Sequence, residues 1–502
     1  MKPSLLATSV AVIALFATAN LPWTLDDYDQ AKQAFVSYQM VGQHRWLFQT
    51  TPAEGLPASG ERHSPFHISS KPPGVGWVSS GIYLFGRSWG LAWRLPSFLS
   101  ALILAILIFR VAKDSFGDLP GLVATAAFAF NMLSPRLATL VRTDMPLAFA
   151  VFALGALMFT KLRKKEVWRF LDRGLLFGLL AFGLFIKGPI IYAFILPPVL
   201  IYELWRKWRP EFPPVWSGWW PWIGSLALFA AWVGTGIAFV PGFYHDVIQI
   251  EFAGRFQEGV HRAQPLLFYF PHLLQKFAPW SIALIVLWSF LMRDQWRKDQ
   301  RLVTTISPET LWLVAWALGG IVVMSLIPSK RVDRIFPAVP PLCLLLAAQM
   351  NAVLQNPVMR PRIYRTCAIL IVLSGVLIGS YTAIRVGQGY RQHRDVLDKF
   401  GSQVRRLAKT QGLRYEVLRA PDEGLLLYLE RPRFCSIQRA AELWRAGTIN
   451  GLVARRNDLL EISQWPDVAA KPRVEATKNT APAGTYIFVT RRQAGGEQNK
   501  FP

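Results

Sequence analysis

Carboxylates and amines stand at the ends of long apolar stretches in this sequence. An acidic pair, Asp26 and Asp27, follows the first apolar stretch, and Asp144 opens a later one in VRTDMPLAFA. Lys71 precedes two prolines in SSKPPGVGW, and Lys187 interrupts LLAFGLFIKGPIIYAF. A carboxylate can take a proton from an attacking group, and an amine can offset the charge of a phosphate. The pattern predicts a site for an anionic group with carboxylates for proton transfer.

Further cations occur in two polar segments, IPSKRVDRIFP and GRFQ. An ionised side chain at the centre of a membrane costs roughly 2.5–3.5 kcal/mol on insertion scales, so such a residue stands near a boundary or serves a function. The candidate substrate-binding residues are Lys71, Lys187, Arg255, Lys330 and Arg331, and the candidate catalytic residues are Asp26, Asp27 and Asp144.

The carboxylates also have structural interpretations. Asp26 or Asp27 could cap a helix that starts near Tyr28, which is a common role for an acidic residue. Asp144 lies two residues before Pro146, and an acidic residue at the start of a helix with an early proline is ordinary. The residue types leave both interpretations open.

The cations and histidines have similar alternatives. Lys187 could extend its amine to the membrane surface at a helix break, and Lys330 with Arg331 could form a solvated turn. His63 and His67, four residues apart in HSPFH, could hold a divalent metal on a helix, but a proline lies between them. A metal is therefore only a weak alternative, and no other cofactor is indicated.

The composition is that of a polytopic membrane protein. The chain has 502 residues, of which 52% are hydrophobic, and its mean hydropathy is +0.27. The net charge of +24 falls mostly in short loops between apolar stretches, which favours membrane orientation and anionic lipid over nucleic acid as its cause. The three cysteines lie far apart and predict neither a disulfide framework nor a metal-thiolate site.

The apolar stretches predict about 11 spans. They lie at residues 4–22, 90–110, 118–134, 145–160, 172–187, 188–204, 217–240, 278–292, 309–327, 335–350 and 364–384. Alternate loops such as KLRKKEVWRFLDR and ELWRKWRPE are basic and should be cytoplasmic, which puts the loops 23–89 and 241–277 on the outer side. The first stretch, KPSLLATSVAVIALFATAN, resembles a cleavable signal peptide as well as a retained span.

The tail differs in character from the rest of the chain. It is charged, with a helix predicted at 392–410 and short apolar strands such as GLVAR and TYIFVTRR. We therefore predict two domains: an α-helical transmembrane domain over 1–385, which includes both outer loops, and a small α/β domain over 386–502 on the outer side.

Seven motifs follow one another in an order typical of one enzyme family. They are LDDYDQAK, SKPPGVGWVSSGIYLFG, WRLPS, VRTDMPLAFAVF, KGPI, RFQEGVHRAQPLLFYF and SKRVDRIFPAVPPL, within about residues 20–350. With these motifs the chain resembles the polytopic GT-C-type glycosyltransferases that use polyprenyl-phosphate sugars. That family includes the bacterial aminoarabinose transferases that act on lipid A and the protein O-mannosyltransferases.

The resemblance implies roles for individual residues. The family carries an acidic pair, usually Asp-Glu, near the donor sugar and the acceptor, and Asp26-Asp27 stands in its place, with Asp26 as the better candidate base. The lipid A transferases often have Glu-Lys-Pro where this chain has Ser70-Lys71-Pro72. The Pro-Pro step fixes φ near −65° and would hold the lysine where a lipid phosphate lies. In the last motif Arg334 stands where the family often has a tyrosine.

The resemblance thus implies an inverting glycosyltransferase on the periplasmic face of a bacterial inner membrane. The donor would be a sugar on a polyprenyl monophosphate, and the acceptor lipid A or another envelope lipid or glycan. A nucleotide is not required, which agrees with the absence of a Walker or Rossmann fingerprint from the sequence. Asp26 would act as base, while Lys71, Lys187, Lys330 and Arg331 would neutralise the phosphate, with Arg255 as a further candidate.

Three alternatives remain open at this point. A protein O-mannosyltransferase-like enzyme would use the same motifs on a different acceptor. A transporter or flippase for an anionic lipid would also suit buried Lys and Asp, although the sequence shows no inverted repeat of broken helices. A structural membrane protein whose tail binds a partner would leave the ordered outer charges without a purpose.

The predicted topology can be tested by reporter fusions. An alkaline phosphatase fused after residue 386 should be active and a cytoplasmic reporter at the same position should be silent, because an odd number of spans places the tail outside. Fusions in the basic loop at 161–173 should give the reverse result and serve as the control. A silent phosphatase at 386 would overturn the number of spans and the side assigned to every outer residue.

Overall fold

The computed structural model of the chain describes residues 3–25, 27–52, 66–255, 264–297, 307–469, 471–478 and 484–492. Helices predominate in these ranges. The first ten are α1 (Pro3–Thr18), α2 (Tyr28–Gln43), α3 (Gly74–Gly86), α4 (Trp89–Phe116), α5 (Asp118–Ala129), α6 (Ser134–Ala138), α7 (Asp144–Lys164), α8 (Phe170–Lys187), α9 (Ile190–Arg206) and α10 (Trp220–Phe239).

The later helices include irregular ones. A π-helix (Tyr244–Phe252) and a 3₁₀-helix (Ala253–Arg255) follow α10, and further 3₁₀-helices cover Val332–Ala338 and Arg456–Asp458. The remaining helices are α11 (Tyr269–Lys276), α12 (Trp280–Arg297), α13 (Pro308–Leu326), α14 (Val339–Leu354), α15 (Arg360–Arg391), α16 (Val396–Gln411), α17 (Gly424–Tyr428), α18 (Ile437–Arg445) and α19 (Leu459–Ile462).

Six of the described helical segments are long and apolar enough to cross a membrane. They are Trp89–Phe116, Asp144–Lys164, Trp220–Phe239, Pro308–Leu326, Val332–Leu354 and Arg360–Arg391. A seventh span results if α11 and the apolar part of α12, which meet at 103°, are counted as one broken span. Apolar stretches of α1 and α5 are shorter. The polytopic helical architecture is confirmed, while the number of about 11 spans stays a prediction.

The described chain divides into two compact units. One contains residues 1–20, 45–49 and 68–383, and the other contains 21–44, 50–67 and 384–502. The division differs from the domains expected at 1–385 and 386–502, because the segment that carries the acidic pair and α2 groups with the tail.

The second unit contains the larger sheet of the described chain. Its strands are β3 (Tyr415–Val417), β4 (Gly451–Arg455), β5 (Val474–Lys478) and β6 (Gly484–Thr490), in the order β3-β4-β6-β5. β3 pairs with β4 in parallel, and β6 is antiparallel to both β4 and β5. The inner face of β4 and β6 packs with α18 around the fully buried Trp444. A separate pair of short strands, β1 (Thr50–Pro52) and β2 (Phe66–Ile68), forms a two-stranded sheet.

The first unit is organised around α7. Within its most apolar window 78% of the residues are buried, so the helix is surrounded by others on nearly all sides. Gly155 lies directly beneath the Trp316 indole of α13, because a β-carbon at this position would stand 2.1 Å from the ring. Close packing of this kind stabilises helix association in lipid, where burial of apolar surface between helices gains little.

Ion pairs join both ends of α7 to its antiparallel neighbour α8. At one end Lys161 contacts Asp172 at 2.6 Å and Glu166 of the connecting turn at 2.9 Å. At the other end Asp144, the first residue of α7, forms a hydrogen-bonded ion pair with Lys187, the last residue of α8. The side chains of Asp144 and Lys187 are only 7% and 11% exposed, so each charge depends on the other for its stabilisation.

We expect the Asp144–Lys187 pair to behave as one unit in stability measurements. Lys187→Met alone should lower the free energy of unfolding by roughly 3–5 kcal/mol, because it leaves a buried carboxylate without its partner. Adding Asp144→Asn should restore most of this loss, because no uncompensated charge remains. Unfolding of purified variants by SDS titration in detergent micelles provides the measurement.

Lys113→Met is a matched control for this cycle. It removes one partner of the exposed Lys113–Asp118 pair, which are 3.1 Å apart, and should cost less than about 1 kcal/mol. A double variant no more stable than Lys187→Met would show that the two buried charges are not coupled.

Candidate functional site

The Lys71 segment is fixed against the end of α8. The Ser69 N–H donates to the Gln49 carbonyl at 2.8 Å, and α3 starts directly after the two prolines. Gly74 approaches the helix so closely that a β-carbon would lie 2.6 Å from the Phe185 carbonyl oxygen. Only glycine permits this approach, and it brings Lys71 near the C-terminal turn of α8, where Lys187 lies.

Charged side chains of four elements act on one another here. Asp144 interacts electrostatically with Lys187, and also with Arg142 and Lys71. Lys187 in turn interacts electrostatically with Lys71 and Arg334. The structure therefore brings together three of the residues predicted from the sequence, Lys71, Asp144 and Lys187. We call Lys71, Arg142, Asp144, Lys187, Asp333 and Arg334 the charge cluster.

Arg142 and Asp333 belong to the charge cluster although the sequence interpretation did not assign them a role. The Arg142 guanidinium contacts the Asp333 carboxylate at 2.7 Å, and the two side chains are 10% and 14% exposed. The Ser97 hydroxyl of α4 donates to the carbonyl oxygens of Leu140 at 2.7 Å and Arg142 at 3.2 Å, which fixes the turn before α7. Arg142 lies in the motif VRTDMPLAFAVF, and Asp333 lies in SKRVDRIFPAVPPL. Their place in these motifs was the signal in the sequence that could have identified them.

Arg334 and Lys330 are held by main-chain oxygens. Arg334 donates to the Ser329 carbonyl at 2.6 Å and to its hydroxyl at 3.1 Å. The Lys330 amine donates to the Gln264 carbonyl at 3.0 Å and is 8% exposed as a residue. Burial lowers the pKa of the Lys330 amine, and the part of the chain that the structure describes contributes no carboxylate to it. Lys330 is thus a buried cation three residues before Asp333 of the charge cluster, and its hydrogen-bond partner is neutral.

Two further predicted cations have different surroundings. Arg331 is exposed and precedes the 3₁₀-helix Val332–Ala338. Arg255 ends the 3₁₀-helix after the π-helix, and its side chain lies outside the described residues. Neither residue is assigned to the charge cluster by its described contacts.

The acidic pair lies in the other compact unit. Asp27 caps α2, and its carboxylate accepts a hydrogen bond from the Asp29 N–H at 3.3 Å. This is the capping role that the sequence offered as the structural alternative for the acidic pair. The Gln30 and Ala31 N–H groups donate to the Asp27 carbonyl at 2.9 and 3.0 Å. Asp26 lies outside the described residues. Capping does not exclude a second role for Asp27, since a carboxylate at a helix start remains an acceptor.

The weak metal candidates are not completed by other side chains in the described ranges. His63 and the side chain of His67 lie outside the described residues. Among the side chains that are described, no group of three His, Cys, Asp or Glu residues is placed to hold a metal ion. His67 itself belongs to β2, which is not the helix that a metal pair with four-residue spacing requires.

Asp246 of the π-helix is a contact that the sequence did not predict. Its carboxylate accepts from the Ile68 N–H at 2.9 Å and lies 3.0 Å from the His245 ring nitrogen. The bond joins the loop at 241–277 to the residue that comes three positions before Lys71. π-helical turns often occur at functional sites, and here the turn aims a carboxylate at the end of β2.

Comparison with known proteins finds relatives for parts of the sequence. Residues 70–235, less than half of the chain, match the family described as dolichyl-phosphate-mannose-protein mannosyltransferase. The undecaprenyl phosphate-alpha-4-amino-4-deoxy-L-arabinose arabinosyl transferase of Aeromonas salmonicida is 29% identical over 216 residues. This alignment covers 42% of the chain and only 36% of that relative. The transferase of the same name from Edwardsiella ictaluri is 25% identical over 343 residues, which is 64% of the chain and 55% of the relative.

Solved structures extend the likeness to nearly the whole fold. ArnT from Cupriavidus metallidurans superposes with a TM-score of 0.67 in its apo state, at 16% identity, with 97% of this chain and 98% of that chain covered. The same protein bound to undecaprenyl phosphate gives a TM-score of 0.64 at 17% identity and the same coverage. Motifs, curated relatives and fold agree: the chain is a multi-pass membrane protein with the fold of ArnT, and it resembles the GT-C-type glycosyltransferases that use polyprenyl-phosphate sugars.

Proposed function

We propose that the protein is an inverting glycosyltransferase of the bacterial inner membrane. It takes a sugar from a polyprenyl-phosphate donor and transfers it to lipid A or a similar envelope acceptor on the periplasmic face. The transmembrane domain (1–385) would bind the donor, and the tail (386–502) would lie in the periplasm. Because the curated relatives are matched over part of their length, the donor and acceptor named for them enter here as proposals.

The charge cluster is the observation that carries this proposal. Four cationic side chains, Lys71, Arg142, Lys187 and Arg334, accompany two carboxylates, Asp144 and Asp333. The pairs Asp144–Lys187 and Arg142–Asp333 each have no net charge. Lys71 and Arg334 then make the summed charge of the six side chains positive. A net positive cluster in a protein of low local dielectric attracts a phosphate strongly.

The proposed reaction builds up negative charge on the donor phosphate. An acceptor oxygen attacks the anomeric carbon while the bond from that carbon to the phosphate oxygen breaks. The leaving polyprenyl phosphate keeps the bonding electrons and gains one negative charge. Lys71 and Arg334, together with Lys330 and Arg331 of the neighbouring segment, would stabilise that charge. Arg255 remains a further candidate for the same task.

The proton of the attacking group has to leave when the acceptor is a hydroxyl. Asp26 would accept it, and Asp27 would keep the first turn of α2 in place beside it. When the acceptor is a phosphate, it arrives deprotonated, and Asp26 would orient it instead. Asp144 would contribute through Lys187, whose amine it fixes at the end of α8. No divalent metal is required by this scheme.

A protein acceptor is the second candidate. The family matched by residues 70–235 is described as a protein mannosyltransferase, whereas the curated relatives are named as aminoarabinose transferases. Both would use a polyprenyl phosphate donor and leave the same lipid phosphate. Mass spectrometry of lipid A and of envelope proteins from a deletion strain would distinguish them by which one loses a sugar.

Transfer by the purified protein tests the proposed function directly. The full-length chain in detergent should transfer sugar from a synthetic polyprenyl-phosphate donor, and Asp26→Asn should reduce the rate by about 10²–10⁴-fold for a hydroxyl acceptor, because the proton acceptor is lost. Asp29→Asn, which neutralises a carboxylate in the first turn of α2, is the matched control and should change the rate little. Near-normal transfer by Asp26→Asn would remove that residue from the catalytic role.

Lys71→Ala should impair donor use more than it impairs stability. Its proposed contact strengthens as the phosphate gains charge, so its loss should lower kcat as well as donor affinity, by about 10- to 100-fold in kcat/KM. Lys71→Arg should restore only part of the activity, because the forked guanidinium is wider than an amine. Kinetics and melting temperature of the purified variants, with Lys113→Ala as the control, provide the measurement. Unchanged kinetics would exclude a phosphate contact, and a collapsed melting temperature would indicate a structural role.

A further inference from the structure

The three residues before the acidic pair are held by the C-terminal part of the chain. The Arg385 guanidinium lies over the Trp23 ring, 4.5 Å from its centre. The Thr24 hydroxyl donates to the Arg394 carbonyl at 3.0 Å. All these residues belong to one compact unit, so the contacts are internal to it. A stretch that follows α1 in sequence is therefore fixed by residues about 370 positions further along.

Leu25 receives the closest contacts. Its N–H donates to the Tyr428 hydroxyl oxygen at 3.0 Å, and the side chain is almost fully buried. Gly424, at the other end of α17, lies so close that a β-carbon would stand 2.0 Å from the Leu25 carbonyl oxygen. Both main-chain polar groups of Leu25 thus face α17, one residue before the acidic pair.

α17 is in turn attached to the four-stranded sheet at each of its ends. Before the helix, Asp422 accepts a hydrogen bond from the buried Tyr486 hydroxyl of β6. After the helix, the Leu429 carbonyl accepts from the Tyr415 hydroxyl of β3 at 2.9 Å. A continuous set of contacts therefore runs from two strands of the sheet through α17 to Leu25.

The other side of the acidic pair is fixed by α2. Asp27 accepts the first main-chain hydrogen bonds of this helix and caps it with its carboxylate. The residue between Leu25 and Asp27 is covalently joined to a fixed residue on each side, and one residue spans less than about 4 Å. A shift of Leu25 therefore moves the point at which the acidic pair is attached to the preceding chain.

We propose that the tail (386–502) positions the acidic pair. Tyr428 and Gly389 are the positioning residues: Tyr428 holds Leu25 in place, and Gly389 holds Trp23 in place. Gly389 of α15 belongs to this arrangement because a β-carbon there would lie 2.7 Å from Pro22 Cδ and 2.9 Å from the Trp23 ring. The inference rests on the proposed role of Asp26 and gives the tail a purpose in it. A base displaced by about 1 Å can lose about 10²-fold in rate, so small shifts at Leu25 matter.

Two variants disturb the arrangement at different points. Tyr428→Phe removes the oxygen that accepts from the Leu25 N–H and changes nothing else in the ring. Gly389→Ala forces Pro22 and Trp23 to shift. Gly387→Ala is the matched control, because it lies in the same helix and a β-carbon there would meet nothing within 4 Å. Alanine favours the helix equally at both positions, so helix propensity cancels in the comparison.

The first measurement does not depend on activity. Hydrogen–deuterium exchange of the full-length protein in detergent should become faster in peptides that cover residues 21–31 in Tyr428→Phe and Gly389→Ala. The same peptides should exchange as in the wild type in Gly387→Ala. Unchanged exchange in both test variants would overturn the inference, whatever their activity.

The second measurement separates positioning from folding. With a polyprenyl-phosphate sugar as donor, kcat should fall by about 10- to 100-fold in both test variants, while the donor KM and the melting temperature stay near the wild-type values. Faster exchange with unchanged kcat would refute the positioning role. A wild-type chain that transfers no sugar would refute the proposed function instead, and the exchange result would still decide whether these residues hold Trp23 and Leu25.

Discussion

The buried ion pair between Asp144 and Lys187 is the constraint on which the arrangement of the first unit depends. Neither charge is stable alone in a water-poor environment, so the start of α7 and the end of α8 have to meet. Gly188, with its positive φ of 76°, ends α8 directly after the lysine and turns the chain into α9. The pair thus brings together the start of α7 and the turn from α8 into α9.

Other elements of the charge cluster are arranged around this point. Gly74 brings the Lys71 segment onto the last turn of α8, and Ser97 fixes the turn that carries Arg142. Arg142 then reaches Asp333, which precedes the long buried helix α14. Each cation is supplied by a different element, so a phosphate held here would touch the ends of several helices at once. Sites built from helix ends keep their geometry because the helices themselves are packed over most of their length.

Part of this could be predicted from the sequence, and the reason lies in the range of the interactions. Apolar stretches as long as α4 and α7 determine helices locally, and the motif order indicated Lys71, Asp144 and Lys187 as members of one site. The partner of each charge could not be predicted, because Arg142 and Asp333 are 191 residues apart and many cations were available to either. The grouping of the Asp27 segment with the tail depends on contacts such as Thr24 with Arg394, 370 residues apart, and on a glycine at 424 that leaves no trace in hydropathy.

Two departures from the family pattern change the charge of the cluster in the same direction. Ser70 stands where the lipid A transferases often have a glutamate beside the lysine, and its buried hydroxyl has no hydrogen-bond partner in the described part of the chain. Arg334 stands where a tyrosine is usual, and its guanidinium is fixed by Ser329 while its charge reaches Lys187. One change removes a negative charge and the other adds a positive one. The cluster of this chain therefore carries more positive charge than a site with the usual glutamate and tyrosine at these two positions.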